Sequence, residues 1–137
     1  MKNNLLILAI LIVLLAALLL IWNRDENLED GIVIMQNDQE LIISFPQIDK
    51  LQKHNFTTNR GDEFTGILLS EILENYDYNK LKLHSSDGGN LILNREDISN
   101  AYIIEMDDID ERSFRLIIPT DEFRQRWMKY IKSIELN

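Results

Sequence analysis

Hydrophobic and polar positions divide the chain into three regimes. From Leu5 to Trp22 the run LLILAILIVLLAALLLIW carries no charged or strongly polar side chain. At 1.5 Å rise per residue this run makes a helix of roughly 27 Å, close to the thickness of a bilayer core. It is apolar on every side, so it has no polar face to present as a surface helix. Trp22 closes it, where an indole favours the headgroup layer. Next comes NRDENLED, Asn23 to Asp30, a short polar spacer. From Gly31 onward the apolar runs become short and periodic.

In that third regime most of the periodicity is that of strands. GIVIMQNDQELIISF reads as two β-rich runs around Gln36–Gln39, a hairpin. Pro46 suits a helix start, and Ile48 and Leu51 then form one apolar edge of a short helix. NFTT is a brief strand and NRGDEFTG a loop. ILLSEILENY has Leu68, Leu69, Ile72, Leu73 and Tyr76 on one helical face, so it is the clearest helix expected outside the first run. LKL and LIL flank HSSDGGN as a hairpin, with Asp87-Gly88 as the turn pair. REDIS is a helical turn, AYIIEM and SFRLIIP are strands, DDIDER is a turn and TDEFRQRW a connection. In MKYIKSIEL, Met128, Tyr130, Ile134 and Leu136 share one parity, a final strand with Lys132 as the exception. The sum is about seven strands and two or three short helices. That predicts an α+β domain with a mixed or mainly antiparallel sheet, and not a doubly wound one.

The chain therefore divides into an anchor over 1–22, a juxtamembrane linker over 23–30 and one domain over 31–137. A cleavable signal peptide needs a shorter apolar core with small residues before the cut. Here Ala16 and Ala17 lie inside the run, which reads as an uncleaved anchor. Lys2 precedes it. Arg24 follows but is soon joined by Asp25, Glu26, Glu29 and Asp30, and acids count little in the orientation rule. The expected topology keeps the N-terminus inside and puts the domain on the extracytoplasmic side of the cell membrane.

Charge narrows the partners. With Lys2 set aside, 13 basic residues face 23 acidic ones, a net charge of −10. Such a domain repels nucleic-acid phosphates and anionic lipid headgroups. The sequence has no cysteine, which removes disulfides, thiolate metal sites, thiol nucleophiles and cysteine lipidation together.

Candidate chemistry is thin. His54 and His84 are far apart, with no ligand neighbour at helical or loop spacing, and read as solvated or locally bonded. Asp107, Asp108, Asp110 and Glu111 lack the glycine and terminal glutamate of a calcium loop. No serine stands in a G-x-S-x-G context. DGG lacks the lysine and helix start of a phosphate loop.

Several segments nevertheless stand in a familiar order. EFTGILLSEIL resembles the W-T-G-V-x-L-x-x-L-L segment of the oxidoreductase molybdopterin-binding domain, the sulfite-oxidase-like fold. LKLHSSDGGNLILNREDI is similar to that family's strand, S-x-D-G-Y turn and strand. FRLIIP resembles its L-R-L-V-V-P strand, RWMKYIKSIEL its closing strand, and LIISFPQIDKLQKHNFTT its entry segment. The resemblance covers Gly31 to Leu136 and implies the fold. In catalytic members the strand corresponding to NFTT leads into a cysteine that binds molybdenum. That place holds Thr57 and Thr58 here, and neutral hydroxyls are poor substitutes for a soft anionic ligand. The long loop that encloses the pterin is cut to NRGDE, with Arg60 its only cation, and the turn tyrosine is Gly89.

The expectation is a membrane-anchored, non-catalytic binding or assembly module, held in the membrane by residues 5–22 and meeting other envelope proteins. It needs no cofactor and no metal. The alternative is a small-ligand or pterin-binding component of a membrane redox system. That reading would use a remnant pocket of Thr57, Thr58, Arg60, Asp87, Gly88 and Gly89. An enzyme with unrelated chemistry would need a constellation that the sequence does not display.

Overall fold

The structure, a computed structural model, describes residues 1–22, 30–107 and 111–137. The linker expected over 23–30, Asp30 apart, and the centre of the acidic turn at Asp108 and Asp110 lie outside the described residues. Helix α1 (Lys2–Trp22) is long and apolar enough to cross a membrane, and the side chains from Leu5 to Ile21 touch nothing that would bury them.

From Gly31 the chain is α+β, with nine strands among the described residues in two sheets. The five-stranded sheet has the order β2-β1-β9-β5-β6, from β1 (Gly31–Gln36), β2 (Gln39–Ser44), β5 (Lys80–Ser85), β6 (Asn90–Asn94) and β9 (Ile131–Leu136). The four-stranded sheet has the order β3-β4-β7-β8, from β3 (His54–Thr57), β4 (Glu63–Leu68), β7 (Tyr102–Met106) and β8 (Ser113–Ile117). Among the described pairings only β1 with β9 runs parallel. Hence the mixed, mainly antiparallel character read from the sequence is present, but it is spread over two sheets.

Local rules explain the first hairpin. Asn37 and Asp38 both take left-handed backbone, φ 52° and 60°, between the paired Gln36 and Gln39. That two-residue geometry matches the twist of the strands it joins, and short Asx side chains tolerate it. Helix α2 (Phe45–Asp49) then starts on a reciprocal cap. Ser44 Oγ accepts from the Gln47 amide at 3.4 Å, and Gln47 Oε1 accepts from the Ser44 amide at 2.9 Å. Pro46 sits in the first turn, where its missing N–H costs nothing.

One core joins the sheets. Ile32, Ile34, Leu81, Leu83, Leu93, Ile134 and Leu136 come from the five-stranded sheet. Ile67, Ile103, Phe114 and Leu116 come from the four-stranded one. Each is nearly free of solvent, and burying such a side chain is worth about 1.5–3 kcal/mol. Ile48 of α2, Leu69 and Ile72 of α3 (Leu69–Ile72), and Ile98 of α4 (Arg95–Ser99) seal the same core.

Two expectations are corrected here. The loop EFTG and the first residues of the expected helix form strand β4, which leaves α3 only four residues. Tertiary pairing overrides the helical period: β4 bonds β3 on one side and β7 on the other, and Leu69 N–H donates to the Ala101 carbonyl at 3.0 Å. The strand total among the described residues is nine against about seven expected, and β4 is the strand that was not expected.

Candidate functional site

The residues singled out by sequence fall on different sheets. Thr57 ends β3 and is exposed. Thr58 is buried, 5% exposed, and its groups close a tight loop. Its amide donates to the Asp62 carbonyl at 2.9 Å, its hydroxyl accepts from the Asp62 amide at 3.2 Å, and its carbonyl accepts from the Gly61 amide at 2.9 Å. Gly61 takes φ 88° within that loop, and Arg60 points out of it, exposed.

Asp87, Gly88 and Gly89 lie at the β5–β6 turn of the other sheet. The turn is a correction to the sequence reading. Ser85 N–H donates to the Gly89 carbonyl at 2.9 Å, and Gly88 N–H to the Ser85 carbonyl at 3.2 Å, so three residues form the loop. Only Gly88 is left-handed, φ 92°, which fits a three-residue hairpin ending in a glycine bulge better than an Asp-Gly pair. The Ser85 hydroxyl donates to Asp87 Oδ1, and Gly89 N–H approaches both side-chain oxygens, at 3.1 and 3.3 Å. These donors, the Ser85 hydroxyl first, hold the Asp87 carboxyl below its ordinary range. Its anionic form is thus committed to the turn.

Thr57 borders a shallow cavity of about 520 Å³ at the β3–β4 hairpin. Ser86 of the β5–β6 turn borders an open groove of about 940 Å³ with Asp30, Phe45, Arg112, Tyr130 and Lys132. Tyr130 in that groove has φ 56°, a strained conformation for a bulky residue, and its carbonyl accepts from Ser86 N–H at 2.9 Å. The donor set does not fit a molybdenum pterin. Thr58 is tied to its own loop, the Arg124 guanidinium beside that loop is already paired with Asp62, and Asp87 would present an anion to the cofactor's phosphate.

His54 Nε2 pairs with Glu71 at 2.9 Å and His84 Nε2 with Glu135 at 3.2 Å, local partners as expected. Among the described residues no three histidine, aspartate or glutamate side chains converge as a metal site.

A different cluster stands out, on the face of the four-stranded sheet turned away from the core. Strand parity places His54, Phe56, Phe64, Tyr102 and Arg115 there. Phe56 lies opposite Phe64, Tyr102 lies opposite Leu68, and Gly66 stands between Phe64 and Leu68 on β4. Across the gap at Gly66 the Phe56 and Tyr102 rings stack, centroids 4.0 Å apart. Phe64 continues the row to Trp127, edge-on at 6.2 Å. Trp127 follows a 3-10 turn at Arg124–Arg126 and is fixed by its indole N–H, which donates to the Ile118 carbonyl at 3.2 Å.

Two guanidinium groups lie over Trp127, that of Arg124 at 5.1 Å and that of Arg115 at 5.6 Å from the ring centroid. They differ in one respect. Arg124 pairs with Asp62, whereas Arg115 makes no hydrogen bond or ion pair among the described residues, and its Nε is covered. Burial, with the Arg124 charge adding to it, lowers the Arg115 pKa. Among the described residues every other buried side-chain nitrogen or oxygen has a hydrogen-bond partner. Sequence reasoning missed this cluster. Its only signal was the shared parity of aromatic residues on strands distant in sequence.

A scan against protein-family models finds no match for this chain, and a search of curated proteins finds no significant one.

Proposed function

We propose that this chain is a membrane-tethered binding module of the cell envelope, a shortened sulfite-oxidase-like domain without a catalytic centre of its own. Residues 1–22 are the anchor, 23–30 the linker, and the domain from residue 31 faces the extracytoplasmic side, where it meets other envelope or membrane proteins. The observation that carries this reading is the aromatic shelf ending in Arg115, a cation without a counter-charge in a chain of net charge −9. The covered Nε costs stability, while the rest of the same guanidinium, beside stacked rings, offers an outside partner a cationic edge.

A photo-reactive residue at position 64, in the full-length protein in intact membranes, should give one discrete protein adduct. The same probe at Asn94, on the edge of the other sheet, should not. Loss of the adduct in Arg115→Gln is expected, and identical labelling from both positions overturns the reading. External protease should digest the domain in protoplasts, and protection reverses the topology. An intact mass lacking about 20 residues, the size of a signal peptide, removes the tether.

The groove beside Tyr130 favours a second reading, a small-ligand component of a membrane redox system, because strained backbone gathers at ligand sites. Native mass spectrometry of the purified protein tests it: a stoichiometric organic adduct supports this reading, and a bare chain removes it.

A further inference from the structure

The five-stranded sheet ends on β2, which among the described residues pairs with β1 alone. Gln39 stands opposite Gln36 and Leu41 opposite Ile34, and one step past the strand Phe45 N–H donates to the Asp30 carbonyl at 3.0 Å. In an antiparallel pair the backbone groups point alternately toward the neighbour and away from it. Gln39, Leu41 and Ile43 therefore bond β1, and Glu40, Ile42 and Ser44 present their groups outward. The Ser44 amide is already taken by Gln47 Oε1 at 2.9 Å. The N–H and carbonyl groups of Glu40 and Ile42 have no partner among the described residues.

The side chains leave the same edge uncovered. Outside α1 the exposed large apolar residues are Leu41, Ile42, Ile92 and Phe123, and the first two are neighbours here, 53% and 43% exposed. Edge strands are ordinarily shielded by lysine, proline, a bulge or shortness. Strand β2 has six residues, neither lysine nor proline, and an unbroken register. By contrast β3 has four residues, and β6 carries asparagine at both ends.

A second copy of β2 completes this edge in one register. Two-fold antiparallel pairing keeps both core faces on one side of the joined sheet, so residues of equal parity stand opposite each other. Centring the axis on Glu40 sets like charges opposite each other. Centring it on Ile42 or Ile43 needs the Ser44 N–H that the α2 cap has taken. Centring it on Leu41 uses the free groups: Glu40 of each copy exchanges both backbone bonds with Ile42 of the other. The two Leu41 side chains then meet on the axis, and Gln39 stands opposite Ile43. The exposed Glu40 carboxylates lie diagonally across the joint, which weakens the pairing without blocking it.

The anchor favours a copy of this chain as the occupant. Seven residues separate Trp22 from Asp30. Their reach is below about 30 Å. Asp30 in turn is bonded to Phe45 at the end of β2. Copies in one membrane thus hold β2 in the same layer, and tethering raises the effective concentration for a weak edge contact.

We propose that β2 is a homodimerisation edge, pairing antiparallel with β2 of a second copy about a two-fold axis at Leu41. The inference rests on the membrane-tethered part of the function proposed above and names one partner of the domain.

The absence of native cysteine makes single cysteines clean reporters. Non-hydrogen-bonded antiparallel pairs have Cα atoms about 4.5 Å apart, within the range a disulfide spans. Full-length Leu41→Cys in isolated native membranes, under mild oxidant, should become mainly a reducible homodimer. Ile43→Cys and Gln39→Cys alone should stay monomeric, and the two co-expressed should cross-link to each other. Ile92→Cys, on the edge strand β6, should stay monomeric. Ile42→Pro removes an N–H that β1 does not use, and an edge strand tolerates it. Added to Leu41→Cys, it should abolish the cross-link while leaving the far-UV spectrum and the unfolding midpoint near those of Leu41→Cys.

Equal cross-linking at positions 41, 42 and 43 overturns the antiparallel joint, and cross-linking at 42 in place of 41 overturns the register. A Leu41→Cys adduct with a different protein overturns the second copy as occupant. If Leu41→Cys pellets with membranes and stays monomeric, this inference fails and the tether stands. If the chain is not in the membrane fraction, the tether fails and the inference with it.

Discussion

Arg115 and Trp127, twelve positions apart in sequence, meet with the guanidinium carbon over the indole ring, 5.6 Å from its centroid. Neither lies in a motif. Arg115 is on β8, and Trp127 is brought over it by the connection that leads to β9. The contact offsets part of the cost of a cation whose Nε has no acceptor.

That balance gives the first prediction. Arg115→Met keeps the length and apolar stem while removing the orphaned donor. Stability should stay level or rise by about 1 kcal/mol, since the lost cation–π contact and the relieved donor nearly cancel. Trp127→Ala, at a site 5% exposed, should instead cost about 3–5 kcal/mol. Urea unfolding of both variants checks the contrast, and a large loss in Arg115→Met would show that the guanidinium is structurally satisfied.

Leu73 is the second test. It caps α3 and is 1% exposed within the core. Leu73→Ala should cost about 2–5 kcal/mol, with Ser70→Ala nearly silent on the half-buried side of the same short helix. A loss below about 1 kcal/mol at Leu73 would mean that the site collapses around the cavity.

Gly66 on β4 leaves no room for a side chain against β7. A Cβ there would stand 2.7 Å from the Ile103 carbonyl oxygen and 2.8 Å from Ile104 Cγ2. The first of these is backbone and cannot turn aside. Gly66→Ala should therefore cost about 1–3 kcal/mol and shift the Phe56 and Tyr102 ring resonances. Unchanged ring signals would show that the aromatic stack does not depend on this close approach.

The β5–β6 turn should loosen in acid. The Asp87 carboxyl is held below its ordinary range in the fold, by the Ser85 hydroxyl and then by the Gly89 amide. A lowered folded pKa means that its contribution is present above the unfolded value, about 4, and lost as pH falls through the folded one. The Gly89 amide resonance should titrate with Asp87 below that point, and Asp87→Asn should abolish the step. A Gly89 signal that is flat across this range argues against the turn geometry described here.

Much of the architecture is written in local pattern. The unbroken apolar run determines an N-terminal helix of membrane-spanning length, because no polar side chain gives it a soluble face. Ser44, Pro46 and Gln47 specify the start of α2, and Asn37-Asp38 specify the first hairpin, since caps and turns are settled by neighbours within a few residues. Alternation in LKL, LIL and YIIEM determines which side chains face the core.

Tertiary structure decided the rest. ILLSEILENY has a helical period, yet its first residues became strand because β3 and β7 offered β4 ladder partners on both edges. The split into two sheets followed from long-range pairings, such as β1 with β9 across almost the whole domain, that no local period encodes. The candidate site belongs to the same class. Phe56, Phe64, Tyr102, Arg115 and Trp127 come from four strands and a connection, and only strand register puts them on one face. Periodicity states that a side chain points away from its neighbour. Which distant side chain it then meets is set by the packing of the whole chain.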